Sequence, residues 1–208
     1  MGESLEKKMY YTREEYLSIE EQTEYKSEYY DGEIFAMSGG SSKHSIICVN
    51  LNWGIREALA DKDCIGFDSN MKLDIASANA FVYPDAMVVC GDIEFHENRT
   101  DIIKNPVLII EVLSPSTQAF DRGGKFNYYR TVSSLKEYVL VSQGEPMVEV
   151  YYKQDEKNWS YTVTKGLEDT VVLHSINYEL ALKDIYHKIG WNKKQVQHNF
   201  PNCAKAKL

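Results

Sequence analysis

The chain lacks most features that would point directly to a chemistry or a destination. Its four cysteines, Cys48, Cys64, Cys90 and Cys203, include no CxxC pair. A zinc hook is therefore not expected, and the four read as reduced thiols of a cytoplasmic protein. No stretch approaches 18 uncharged apolar residues, and no apolar N-terminal segment of signal-peptide length is present. Neither membrane insertion nor secretion is expected. The histidines at 44, 96, 174, 187 and 198 follow no zinc-site spacing. Ser114 and Ser116 lack a GxSxG context, and there is no glycine-rich phosphate loop. Positive charge is in deficit: 23 Lys and Arg against 31 Asp and Glu give a net charge of −8. That balance excludes a protein that coats nucleic acid by bulk electrostatics, though not one with a local basic groove. No linker or internal repeat interrupts the sequence, so residues 10–190 read as one domain, with 1–9 and 192–208 as flexible tails.

What is present suits a globular domain with a real core: 208 residues, 43% hydrophobic, with tyrosine in excess at 15 copies. Tyrosine can fill the edge of a core while its hydroxyl stays wet, which fits a half-open cleft. Thr12 with Glu15 has capping-box spacing and opens a helix running to about residue 21. Asp31-Gly32 between short apolar runs marks a hairpin over 28–37. Ile47, Leu51, Ile55 and Leu59 repeat every four residues and predict a helix over about 43–60. Strands are expected over 62–75, 81–90 and 107–113, and a helix near 121–132 with Asp121 as its N-cap. A hairpin over 137–142 and 147–153, short strands at 159–164 and 171–174, and a helix near 181–189 complete the pattern. A mixed sheet flanked by helices is the natural architecture.

The informative segment is Val107-Leu108-Ile109-Ile110-Glu111-Val112-Leu113, where a carboxylate interrupts a run that reads as a buried strand. A buried carboxylate needs a cation, a metal or its proton. Asp85 follows Tyr83-Pro84 and precedes a second apolar run, 86–90. Two acids on two core strands could hold Mg²⁺ or Mn²⁺, with the carbonyl of Val112 as a third ligand. The plainer alternatives are that Asp85 is a turn residue and that Glu111 is a structural acid paired with Arg122 or Lys125. His44 could equally be an ordinary residue near a helix start.

The residues Tyr83-Pro84-Asp85, Asn105-Pro106, the segment from Ile110 to Thr117 (IEVLSPST) and Asp121-Arg122-Gly123-Gly124-Lys125 together resemble the Uma-type family of restriction endonucleases, within the PD-(D/E)XK nuclease superfamily. The likeness extends to Glu28–Glu33, His44 and residues 136–140, covering roughly 10–190. It implies an α/β fold with a restriction-endonuclease-like core, a mixed central sheet flanked by helices, an extra N-terminal hairpin and extra C-terminal strands. It implies that Asp85 and Glu111 bind the metal. One departure stands out: the superfamily places lysine two residues after the glutamate, and here that residue is Leu113. Lys125 matches the relocated lysine of Uma-type sequences, and its long stem could reach back to the carboxylates. Glu33, or else Glu28, would add an outer acid, with Glu33 preferred.

The expectation is thus a divalent-metal-dependent DNA phosphodiesterase. Asp85, Glu111 and Lys125 form its catalytic set, Glu33 and His44 support it, and Asp85, Glu111 and Val112 hold the ion. Arg122, Arg130 and Lys43 would contact DNA, with Tyr128 and Tyr129 interleaved. Binding would be weak and salt-sensitive, and a homodimer would place one site on each strand. The rivals are an inactive binding or assembly module on the same fold, and a metal-free carboxylate-pair glycosidase.

Overall fold

The computed structural model describes residues 10–37 and 39–191, so the expected tails fall outside the described residues. Helix α1 (Arg13–Glu20) starts with the capping box foreseen at Thr12 and Glu15. It leads into the hairpin of β1 (Ser27–Tyr30) and β2 (Glu33–Ala36), turned by Asp31 and Gly32 at φ 43° and 94°. Both turn residues lie in the left-handed region that a two-residue hairpin of this hand requires. Helix α2 (Ser42–Ala58) is capped by the Ser41 hydroxyl. It buries Ile47, Leu51 and Ile55, as their spacing predicted.

Among the described residues eleven further strands cover the middle and the end of the chain. These are β3 (Cys64–Asp68), β4 (Lys72–Ile75), β5 (Ala80–Val82), β6 (Ala86–Cys90), β7 (Ile102–Ile103), β8 (Leu108–Leu113), β9 (Glu137–Ser142), β10 (Met147–Lys153), β11 (Trp159–Lys165) and β12 (Thr170–Leu173); β13 (Tyr178–Ala181) pairs with β12. One sheet runs β2-β1-β5-β4-β7 and a second runs β11-β10-β9-β8-β6-β3. In the second, β8 and β9 are parallel and are joined by a crossover carrying α3 (Gln118–Phe120), a π-helical turn (Asp121–Lys125) and α4 (Phe126–Tyr129). The fold is therefore mixed α/β, with mixed sheets flanked by helices.

Two layers of core cover the two faces of the larger sheet. Leu108, Ile110 and Val112 pack with α2 and with α5 (Leu182–Ile185). Ile109 and Leu113 pack with Tyr129, Tyr138 and residues of the smaller sheet. Alternation along β8 thus separates its side chains between two cores, and Glu111 falls on the second side.

Several expectations are corrected. The run 81–90 is not one strand: it breaks at Pro84, with β5 in the smaller sheet and β6 in the larger. Proline has no N–H for the ladder, so the chain changes sheet there. The run 62–75 splits in the same way into β3 and β4. The helix near 121–132 begins earlier, and Asp121 lies inside the π-turn, buried, rather than capping an end. The final helix is short because 178–181 pairs as β13. The cysteines are not all reduced: Cys64 and Cys90 face one another across the β3–β6 register and form a disulfide. Cys48 is free, and Cys203 lies outside the described residues. Among the described residues no helix is long and apolar enough to cross a membrane.

Candidate active site

The site forms where two neighbouring strands part. Strands β6 and β8 pair through Ala86 with Ile110, and the next opposed positions would be Asp85 and Glu111. The ladder stops there because Asp85 belongs to the link that crosses to the other sheet. The backbone N–H of Val112 instead donates to Asp85 Oδ2 at 2.7 Å. The carboxylate of Asp85 thereby satisfies a strand amide that has lost its neighbour, and its side chain is held at the mouth of the fork. A cavity of about 710 Å³ opens there, lined by Glu28, His44, Asp85, Glu111, Asp121 and Lys125 among others.

Lys125 sits at the centre of the charge cluster. Its Nζ donates to Glu111 Oε1 at 2.9 Å and to Glu28 Oε1 at 3.4 Å, and lies 3.8 Å from Asp121 Oδ1. The π-turn accounts for this reach. Asp121 and Lys125, four residues apart in that turn, are both buried and both line the cavity. Gly124 in the turn lies against the exposed Phe120 ring, where a Cβ would come within 2.3 Å of a ring carbon, so a larger residue there would have to displace that ring. Tyr129, fully buried, donates its hydroxyl to the same Glu111 Oε1 at 2.6 Å. Among the described residues no donor meets Glu111 Oε2, and the residue lines the cavity.

Burial pushes the Glu111 carboxyl up to about 8; Lys125 opposes the rise, while Asp85, Asp121 and Glu28 reinforce it. Burial works against the charge on Lys125, but Glu111 and Glu28 beside it hold its ammonium well above the usual range. Asp121 is raised by burial as well. His44 lies in the first turn of α2 with Nε2 3.2 Å from Asp85 Oδ2, and this hydrogen bond holds its imidazole above the ordinary range. Four carboxylates thus share the cavity with one buried ammonium and one imidazole. A phosphate entering it would meet net negative charge, and a divalent cation beside Asp85 and Glu111 would reverse that. The oxygen-rich donor set suits such an ion.

Other expected site residues lie elsewhere. Glu33 is exposed on β2 and does not line the cavity; Glu28 on β1 takes the position beside Lys125 and also accepts from the Tyr83 amide at 3.2 Å. The two glutamates flank the hairpin turn, and the sequence offered no way to tell which strand faces the fork. Arg122 grips Glu149 through Nε and a second nitrogen at 2.6–3.1 Å, so its guanidinium is committed within the fold. Arg130 and Lys43 are exposed and outside the cavity lining. Tyr129 faces Glu111 instead of solvent, and Tyr128 stacks on Tyr30, 5.3 Å between ring centroids. Asp121 and Tyr129 are the site members that sequence reasoning missed. The four-residue spacing of Asp121 and Lys125 was the available signal for the first.

The chain is a mixed α/β fold whose larger sheet parts at an acid pair, with a lysine reaching that point from the following crossover. Comparison with known proteins gives the family. Residues 13–183 match the family Uma2, described as "Putative restriction endonuclease", and the chain belongs to it. Two uncharacterized proteins of Synechocystis sp. (strain ATCC 27184 / PCC 6803 / Kazusa) are similar to it. One, slr1290, is 38% identical over 178 residues, 86% of this chain and 92% of its own length. The other, sll1609, is 39% identical over 155 residues, 74% of this chain and 88% of its own. Among solved structures, a protein from Anabaena variabilis ATCC 29413, titled a putative nuclease belonging to DUF820, shares the fold. It has a TM-score of 0.70 at 23% identity, covering 85% of this chain and 97% of that one.

Proposed function

We propose that the chain is a nuclease that hydrolyses DNA phosphodiester bonds with Mg²⁺ or Mn²⁺ held by Asp85, Glu111 and the Val112 carbonyl. The observation that carries this reading is the position of Lys125, whose Nζ lies 2.9 Å from Glu111 although the superfamily's lysine slot is occupied by Leu113. Leu113 is buried in the core on the Tyr138 side of the sheet and has no access to the chemistry. An inactive module on this fold would have no use for a lysine brought across a π-turn into a nest of acids, where each buried charge is costly. A glycosidase would need one protonated and one ionised carboxyl spaced around a sugar, without a lysine bonded to the acid.

The bound ion would lower the pKa of its water and polarise the scissile phosphate. The protein's own residues would do the rest. Asp85 is aimed by the Val112 amide and His44. Tyr129 fixes the rotamer of Glu111, leaving Oε2 toward the cavity. Lys125 supplies fixed positive charge where the pentavalent phosphorus gathers negative charge, as water adds and the P–O bond to the leaving nucleotide breaks. Glu28 and Asp121 hold Lys125 in place.

Incubation of supercoiled plasmid and labelled oligonucleotides with the protein and Mn²⁺, alongside EDTA controls, tests the reading. Asp85→Asn and Glu111→Gln should each lower cleavage by roughly two to three orders of magnitude or more with unchanged circular dichroism. Cleavage by either variant at the parent rate, or cleavage that persists in EDTA, overturns it.

A further inference from the structure

Beside the same cavity, α2 carries donors that a site built only for Mg²⁺ would not need. We propose that His44, Cys48 and Asp85 form a nitrogen, sulfur and oxygen donor set that makes this chain favour a late first-row transition ion (Zn²⁺ or Co²⁺) over Mg²⁺. The inference rests on the preceding reading only in placing the ion beside Asp85. His44 and Cys48 are four residues apart on α2, which brings their side chains onto one face. His44 Nε2 is 3.2 Å from Asp85 Oδ2, and Cys48 Sγ is 3.5 Å from His44 Nδ1. One ligating atom from each of the three lies within 4.8 Å of the other two. Ligating atoms in a tetrahedral zinc shell stand roughly 3.5 Å apart, given bonds of about 2.0 to 2.3 Å. At most 4.8 Å apart, the three atoms already stand close to that spacing. The backbone on both sides is fixed: Ile47 and Leu51 anchor α2 in the core, and the Val112 amide pins Asp85.

The other uses of this cluster fit less well. Cys48 has no disulfide partner among the described residues, since Cys64 and Cys90 are bonded to each other. A Cys-His-Asp nucleophilic triad needs a thiol facing the cavity, yet His44 and Asp85 line it and Cys48 does not. A nucleophile must face the substrate; a ligand need only face the ion. Mg²⁺ requires an octahedral shell of oxygens and keeps its waters. Imidazole and thiolate donors favour the later transition ions over Mg²⁺, which prefers oxygen. Binding would displace the Cys48 proton and the His44 proton shared with Asp85 to solvent.

Titration of the full chain with Co²⁺ under reducing, oxygen-free conditions tests this without any nuclease assay. The expected spectrum has visible d–d bands and a near-ultraviolet sulfur-to-cobalt charge-transfer band. Zn²⁺ should bleach both, whereas a large excess of Mg²⁺ should not. Cys48→Ser should remove the charge-transfer band, and Cys48→Ser and His44→Gln should each weaken Co²⁺ binding by roughly tenfold or more. Thermal melts of both variants confirm folding. Failure to bind Co²⁺, a spectrum without a sulfur band, displacement by equimolar Mg²⁺, or a Cys48→Ser spectrum identical to the parent's each overturns the inference. If the spectra are as expected and DNA is not cut, the nuclease reading falls alone. If DNA is cut and the two variants bind Co²⁺ like the parent, this inference falls alone.

Discussion

Glu111 on β8 and Glu137 on the adjacent parallel strand β9 are both buried carboxylates, and they are surrounded in opposite ways. Glu137 is closed: its two oxygens accept from the amides of His174 and Ser175 and from the Ser175 hydroxyl, at 2.6–3.0 Å. It joins the start of β9 to the short turn before β13 with neutral donors. Glu111 has both of its hydrogen bonds on one oxygen, shares its lysine with Glu28 and Asp121, and sits beside Asp85. A satisfied buried acid ties structure together, whereas a crowded one facing a cavity is poised for a ligand that relieves the crowding. Arg122 with Glu149 is a third acid of the closed kind, completed by the Tyr161 hydroxyl at 2.9 Å.

The comparison is broken most sharply at Glu111 itself. Glu111→Gln should lower DNA cleavage by roughly two to three orders of magnitude or more. It should leave the melting temperature unchanged or higher, because it removes one of three acids that share a lysine. A variant that melts well below the parent would make Glu111 a structural acid like Glu137. Lys125→Met comes next. It strips the acids of their shared cation, and removing one partner of a buried charge cluster costs about 3 to 5 kcal/mol. Chemical denaturation should show that loss, and adding Glu28→Gln should restore part of it. An unaltered denaturation midpoint would mean that the acids are not charged together in the folded state.

The sequence made the carboxylate in 107–113 visible because a charge inside a β-branched run breaks a pattern. It made α2 visible because four-residue spacing persists for three turns. The capping box at Thr12 and the Asp-Gly hairpin were legible because their signals are local. What remained hidden was tertiary. A sheet change at Pro84 looks the same in sequence as a strand with a proline near its start. The choice of Glu28 over Glu33 depends on which strand of the hairpin pairs with β5, a contact made over fifty residues away. The capture of Arg122 by Glu149 spans 27 positions and leaves no periodic trace. Disulfide pairing of Cys64 with Cys90 depends on β3 and β6 being neighbours, which spacing alone does not encode.

A smaller effect is expected at the closed acid. Glu137→Gln places an amide NH₂ against backbone donors, and one unsatisfied buried donor costs about 1 to 3 kcal/mol. Stability should fall by that amount in urea while cleavage per folded molecule stays at the parent value. A loss of cleavage without a loss of stability would reverse the roles assigned to the two glutamates.

The finest test is the pH dependence of stability. Glu111 releases its proton near 4.5 in the unfolded chain and near 8 in the folded one, chiefly because burial disfavours its charge. Between those values the folded protein holds a proton that the unfolded chain has lost. The linkage slope is therefore negative there: stability is greatest below about 4.5 on this account and declines as pH rises to about 8, where the contribution levels off. Asp121 and Glu137, raised in the same direction by burial, add to the decline. Glu111→Gln should flatten the part that ends near 8 and leave the rest, whereas Glu137→Gln should not alter that upper limb. Saturating Mn²⁺ should flatten the same limb, because an ion bound at Asp85 and Glu111 takes the place of the proton. Urea midpoints collected from pH 5 to 9, with and without Mn²⁺, measure all three. A limb unchanged in Glu111→Gln would assign it to another acid and remove the contrast between the open and the closed carboxylate.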